Sequence, residues 1–164
     1  SMKVSFSIIV FLLVFNLPGF CQEKTFTFKG QIHYAGETLK GALLEIYTSG
    51  DLVYQTNSRG GGKFEFELEP EREYMVEISN DNLQTKTIWI NTKGTAMLKH
   101  NVPAFGFDVY LKREKVTVYD ELIEIPVTLI KYQANKKVFY MDKTYEDAIK
   151  NKKRRIKEST RPTR

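Results

Sequence analysis

Cysteine is nearly absent: the 164 residues hold one, Cys21, and none follows it. From Gln22 onward no disulfide can form and no thiol can serve as nucleophile or metal ligand, so packing must hold the fold. Histidine is scarce too, with His33 and His100 far apart in the chain. A zinc site needs three or four clustered His, Cys or acidic ligands, and this pair does not supply them. The long apolar stretch is Ile8–Phe15 (IIVFLLVF), well short of the ~20 residues a membrane-spanning helix needs. Internal repeats, low-complexity linkers and any extended helical periodicity ahead of residue 142 are also missing.

What is present begins at the N-terminus. Lys3 is the sole charge before Glu23, and the apolar run is followed by a Leu17-Pro18-Gly19 break. A basic start, a short apolar core and a breaker before small residues make a secretory signal peptide over residues 1–21. Cleavage between Cys21 and Gln22 leaves Gly19 and Cys21 at the positions where the peptidase takes small side chains. The expected compartment is therefore the periplasm or the outer membrane. In the alternative, lipoprotein reading, Cys21 is the lipidated first residue, but Phe20 is bulky where a small residue is expected. A buried N-terminal strand or helix is the other alternative.

The net charge of +5 divides unevenly. Residues 150–164 carry eight Lys or Arg against Glu158, a net +7, and Lys3 adds one more, so residues 22–149 are left at −3. The body is mildly acidic and the tail is basic. An exported chain does not meet nucleic acid, so Lys150, Lys152, Lys153, Arg154, Arg155 and Lys157 are read as contacts for anionic lipid head groups or for an acidic envelope partner. A solvated, frayed end is the plain alternative.

The body reads as strands. Phe26, Phe28, Ile32 and Tyr34 fall on even positions; Phe64, Phe66 and Leu68 alternate with Lys63, Glu65 and Glu67; Tyr74, Val76 and Ile78 follow. Period-two alternation buries one face and wets the other. Gly50-Asp51 marks a tight hairpin, Asn57 to Gly62 a flexible turn, and Asn80-Asp81-Asn82 another. Ile88 and Ile90 face away from Thr87, Trp89 and Asn91, and Phe105, Phe107, Val109 and Leu111 form the last strand of the block. Strands at this spacing predict an all-β sandwich. After Lys112 the pattern weakens: Val116, Val118 and Tyr119 begin an extended piece, and Leu129 to Tyr140 is apolar enough to pack on the sandwich or on a partner. Asp142 or Thr144 can cap a helix whose Tyr145, Ile149 and Ile156 make one thin apolar stripe.

From Phe28 to Thr92 the chain resembles the carboxypeptidase regulatory-like (transthyretin-like) β-sandwich domains of Bacteroidetes cell-envelope proteins. The residues that carry this are Gly30-Gln31-Ile32, Leu39 to Ile46, Gly62 to Phe66, Glu73 to Ile78, and Lys86 to Ile90. Relatives usually have a glycine and an aromatic where this chain has Asn82-Leu83. The resemblance implies a transthyretin-like Greek-key sandwich of about seven strands and a non-catalytic role. The expected organisation is a signal peptide over 1–21, the sandwich over 22–112, an extended extension over 113–141, and a basic helix with a disordered tail over 142–164.

Catalytic patterns do not emerge. Ser49, Ser58 and Ser79 fall in turns or strand ends without a histidine and acid beside them. Gly60-Gly61-Gly62 lacks the lysine and hydroxyl residue of a phosphate-cradling loop. Glu65, Glu67, Glu69, Glu71 and Glu73 read as a solvated strand face rather than a calcium loop. The chain is thus expected to be no enzyme and to hold no cofactor or metal. It is expected to bind a protein partner in the envelope, or alternatively a carbohydrate stacked on Trp89, Tyr47 and Tyr54.

Overall fold

The computed structural model describes residues 24–113 and 125–159. The expected signal peptide, the extended piece around Val116, Val118 and Tyr119, and the tail beyond Ser159 lie outside these residues. Among the described residues eleven strands make two facing sheets, and one α-helix follows them. Seven of the strands have six residues or more, and the others complete edges.

The first sheet is centred on β1 (Phe26–Tyr34). It pairs antiparallel with β5 (Lys63–Leu68) and, at its end, with β2 (Glu37–Thr38). Two short parallel pieces, β8 (Phe105–Gly106) and β9 (Val109–Leu111), also run along it. Phe28 has both Phe66 and Phe105 as partners, so β1 is flanked on both edges. The second sheet runs in the order β11 (Val138–Met141), β10 (Thr128–Gln133), β7 (Lys86–Asn91), β6 (Glu73–Ser79), β3 (Leu43–Thr48), β4 (Asp51–Asn57). The chain passes repeatedly between the sheets, from β4 to β5 and back to β6, which gives the transthyretin-like Greek-key sandwich its topology.

Alternation decides which side chains meet. In β5 the pattern is strict: Phe64, Phe66 and Leu68 are buried while Lys63, Glu65 and Glu67 are exposed. Tyr74, Val76 and Ile78 from β6 and Ile88 and Ile90 from β7 answer them from the other sheet. Phe28 is fully buried and stacks on Phe66 with ring centroids 5.7 Å apart. Each such aromatic contributes about 1.5–3 kcal/mol by leaving water. The β3–β4 turn is Ser49-Gly50, both at positive φ (51° and 88°), one residue earlier than the sequence signal suggested; two such residues give the twist that a two-residue hairpin needs.

Residues 128–141, expected as an extension lying on the sandwich or on a partner, form two strands of the second sheet. β10 enters beside β7 in parallel, from Thr128↔Ile88 to Lys131↔Asn91, and β11 folds back on it. Ile130 is fully buried and Phe139 nearly so, with Phe139 against Phe26 and Phe28 at 5.2 and 5.0 Å. Leu129-Ile130 and Tyr132 do not alternate cleanly, and the strand they join lies far back in the chain. Local pattern therefore could not show the pairing.

Helix α1 (Lys143–Ser159) follows directly. Asp142, not Thr144, caps it: its Oδ1 accepts the backbone N–H groups of Thr144 (3.1 Å) and Tyr145 (3.3 Å). The Tyr145 hydroxyl donates to the carbonyl of Pro126 at 3.1 Å, and Glu146 accepts from Thr128 Oγ1 at 2.9 Å, which ties the first turn to the sheet.

Candidate interaction surfaces

Two of the three aromatic residues proposed for stacking come together. Tyr47, Met75, Trp89 and Leu129 are cross-strand neighbours in one row over β3, β6, β7 and β10. Tyr47 and Trp89 line a hollow of about 430 Å³ with Glu73, Met75 and Glu77. Burial, with Glu45 and Glu77 nearby, pushes the Tyr47 hydroxyl above its ordinary pKa. Trp89 also meets Tyr145 of the helix edge-to-face at 6.5 Å. Tyr54 does not belong to this group. It pairs with buried Ile46, and neighbouring residues of a strand point to opposite faces, so it lies on the other side of the sheet from Tyr47.

Tyr54 belongs instead to an edge. Among the described residues β4 ends the second sheet, with β3 on one side and no strand on the other. Leu52, Val53 and Tyr54 are 47%, 50% and 44% exposed. The strand carries neither proline nor lysine, the residues that commonly blunt a free edge. A register shift between Ile46 and Tyr47 bends the pairing at Val53.

The basic residues divide by face. Lys150, Lys152, Arg154 and Arg155 are exposed on α1; the side chain of Lys157 lies outside the described set. Lys153 turns inward. It lines a cavity of about 190 Å³ with Gln84, Thr85, Lys86, Tyr110, Lys112 and Val127. Lys86 donates to the carbonyl of Tyr110 at 3.2 Å. Burial first, then the charge of Lys112, and further that of Lys153, pull the Lys86 ammonium below its ordinary pKa, with Glu146 opposing. Burial alone lowers Lys153. Sequence reasoning singled out Lys153 as one of a run and missed Lys86 and Lys112, which come from separate elements. A lysine at the end of the inward row Lys86, Ile88, Ile90 was the signal available.

A larger cleft, about 860 Å³, opens over Gly30, Phe64 and Phe107, with Lys29, Gln31, Arg59, Lys63, Glu65 and Asp108 around it. Lys29 faces Glu65 and Gln31 faces Lys63 across the β1–β5 ladder. His33 stacks on Tyr110 at 4.9 Å, with Nε2 3.7 Å from Asp108. His100 lies elsewhere, 3.1 Å from the Tyr132 hydroxyl. Among the described residues no three His, Cys, Asp or Glu side chains gather as metal ligands do. Ser58 is buried in backbone contacts, donating to the Leu39 carbonyl at 2.7 Å and accepting the Ala42 N–H at 3.0 Å.

No family model matches the sequence. No curated protein matches it. Among solved structures, the chain is similar to the 3-chlorocatechol 1,2-dioxygenase of Rhodococcus opacus 1CP at 11% identity and a TM-score of 0.40, over 56% of this chain and 60% of that one. It is similar to the catechol 1,2-dioxygenase of Acinetobacter sp. ADP1 at 13% and 0.44, over 60% and 55%, and to the shaft pilin spaA of Lactobacillus rhamnosus GG at 12% and 0.41, over 57% and 52%. The chain thus spans little more than half the length of these proteins. Likenesses at this level carry no argument about what this chain does.

Proposed function

We propose that this chain is a non-catalytic interaction module of the cell envelope, of the carboxypeptidase regulatory-like kind, and that it takes an extended segment of a partner protein along β4. The observation that carries the reading is the edge itself: among the described residues Asp51–Asn57, seven residues, end the sheet with Leu52, Val53 and Tyr54 exposed. An unpaired strand presents a row of N–H and C=O groups to any added strand, and exposed apolar side chains add specificity. Export rests on the pattern of residues 1–21, and a mature N-terminus at Gln22 in envelope fractions is its direct test. For the edge, the chain is used to capture partners from envelope extracts after crosslinking. Leu52→Lys combined with Tyr54→Lys abolishes capture while leaving thermal unfolding unchanged, and Lys150→Gln leaves capture intact. Undiminished capture by the folded double variant, or no capture by the wild type, overturns the reading.

A second reading belongs to the hollow beside Trp89. Aromatic Tyr47 and Trp89 flanked by Glu73 and Glu77 offer a stacking surface with hydrogen-bond acceptors for a sugar. It predicts glycan-array binding lost in Trp89→Ala and retained in Tyr54→Ala; a blank array removes it.

A further inference from the structure

The small cavity where the start of β7, the end of β9 and the inner side of α1 meet is rich in donors and in positive charge. Lys86, Lys112 and Lys153 line it, with Gln84 and Thr85. Three elements supply the three ammonium groups, so no single run of sequence accounts for their meeting. The frame is fixed: the Gln84 N–H donates to the Lys112 carbonyl at 2.8 Å, and Leu83 bridges Arg113 beside it. Lys86 uses one donor on the Tyr110 carbonyl, and an ammonium has three. The carboxylate that acts on this group is Glu146, and it already accepts a hydrogen bond from Thr128. Burial disfavours the charges of Lys86 and Lys153, and the neighbouring Lys112 adds repulsion at Lys86; opposite charge at close range restores them. A compact, multiply charged anion with several acceptor oxygens fits that need.

We propose that Lys86, Lys112 and Lys153 form a binding site for a phosphate group, either free or as the head group of an anionic lipid. The exposed cations Lys150, Lys152, Arg154 and Arg155 on the same helix surround the approach with positive charge, which draws anions toward the surface. The site is independent of the β4 edge, and either can fail without the other.

The test uses the whole chain in phosphate-free buffer. Inorganic phosphate is titrated while the amide resonances of Gln84, Thr85 and Lys112 are followed by NMR. Saturable shifts are expected below ~10 mM, the range in which a millimolar Kd shows clearly. Lys86→Gln and Lys153→Gln each weaken binding at least tenfold, and Lys40→Gln, at an exposed lysine outside the cavity, changes it less than twofold. Lys86→Arg, which keeps the charge, retains binding and guards against a folding artefact. A second arm measures co-sedimentation with phosphatidylcholine vesicles with and without phosphatidic acid. Binding to the acidic vesicles that is lost in Lys153→Gln, without binding of free phosphate, assigns the lipid head group; free phosphate binding without vesicle binding assigns the small anion. The proposal is overturned if neither probe depends on the three lysines.

Discussion

The carbonyl oxygen of Phe107 occupies the space that a Cβ on Gly30 would need, and the Phe64 ring closes the same space at 2.9 Å. Gly30 is part of the most heavily paired strand, with β5 along it and the Phe107 N–H donating to the Lys29 carbonyl at 2.9 Å. The backbone of the β8–β9 segment therefore rides directly over β1 at this point. Gly30→Ala must push that segment away or distort β1, at a cost of about 3 kcal/mol. Urea denaturation should show the loss as a lower midpoint with unchanged slope. A variant as stable as the wild type would mean that the segment gives way freely.

Phe139 ties the last hairpin to the core of both sheets. Its ring meets Phe26, Phe28 and Tyr132 at 5.2, 5.0 and 5.6 Å and is 4% exposed. Phe139→Ala should cost about 3–5 kcal/mol, the range for emptying a buried aromatic position. Leu52→Ala, on the exposed edge, should change stability by no more than about 0.5 kcal/mol. Equal effects from the two would show that residues 128–141 are peripheral to the fold.

The strands that alternate strictly were legible from the residues alone. Phe26 to Tyr34, Lys63 to Leu68 and Glu73 to Ser79 each place apolar side chains on one face, and each pairs as that face requires. β10 was not legible as a strand of the sandwich because both of its faces carry apolar residues and its partner β7 is distant in sequence. The same distance hid the lysine cavity, since Lys86 and Lys112 have nothing in sequence that joins them to Lys153. Tyr47 and Tyr54 read as one aromatic group, but the bulge and the alternation of strand faces part them.

Asp142 links the helix to the sheet by charge as well as by capping. Lys131 Nζ lies 2.6 Å from its Oδ2. That hydrogen bond, aided by the N–H groups of Tyr145 and Thr144, holds the carboxyl below its ordinary value of 3.8. A depressed carboxylate stabilises the fold above its unfolded pKa, and the contribution fades as the pH falls through the folded one. Asp142→Asn keeps a capping side chain and removes the ion pair, so it should cost about 1 kcal/mol or less at neutral pH. The difference from wild type should close as the pH is taken well below 3.8. Asp142→Ala loses the cap as well and should cost about 1 kcal/mol more. A difference between wild type and Asp142→Asn that stays constant into strong acid would refute the coupling.

Ser58 shows how a hydroxyl placed in a turn can be structural. It is 3% exposed and spans two backbone groups, donating to Leu39 and accepting from Ala42, whose own residue is fully buried. Ser58→Ala leaves the Ala42 N–H without that acceptor, and a buried donor stripped of its partner costs about 1–3 kcal/mol. The entry to β3 should loosen first, because the Gly41 N–H also donates to the Ser58 carbonyl at 2.9 Å and the Ser58 N–H to the Ala42 carbonyl at 2.8 Å. Hydrogen exchange should therefore quicken at Ala42 before it quickens at Val76 in the neighbouring strand. An Ala42 amide as protected in Ser58→Ala as in the wild type would show that another group, or water, had taken the place of the hydroxyl.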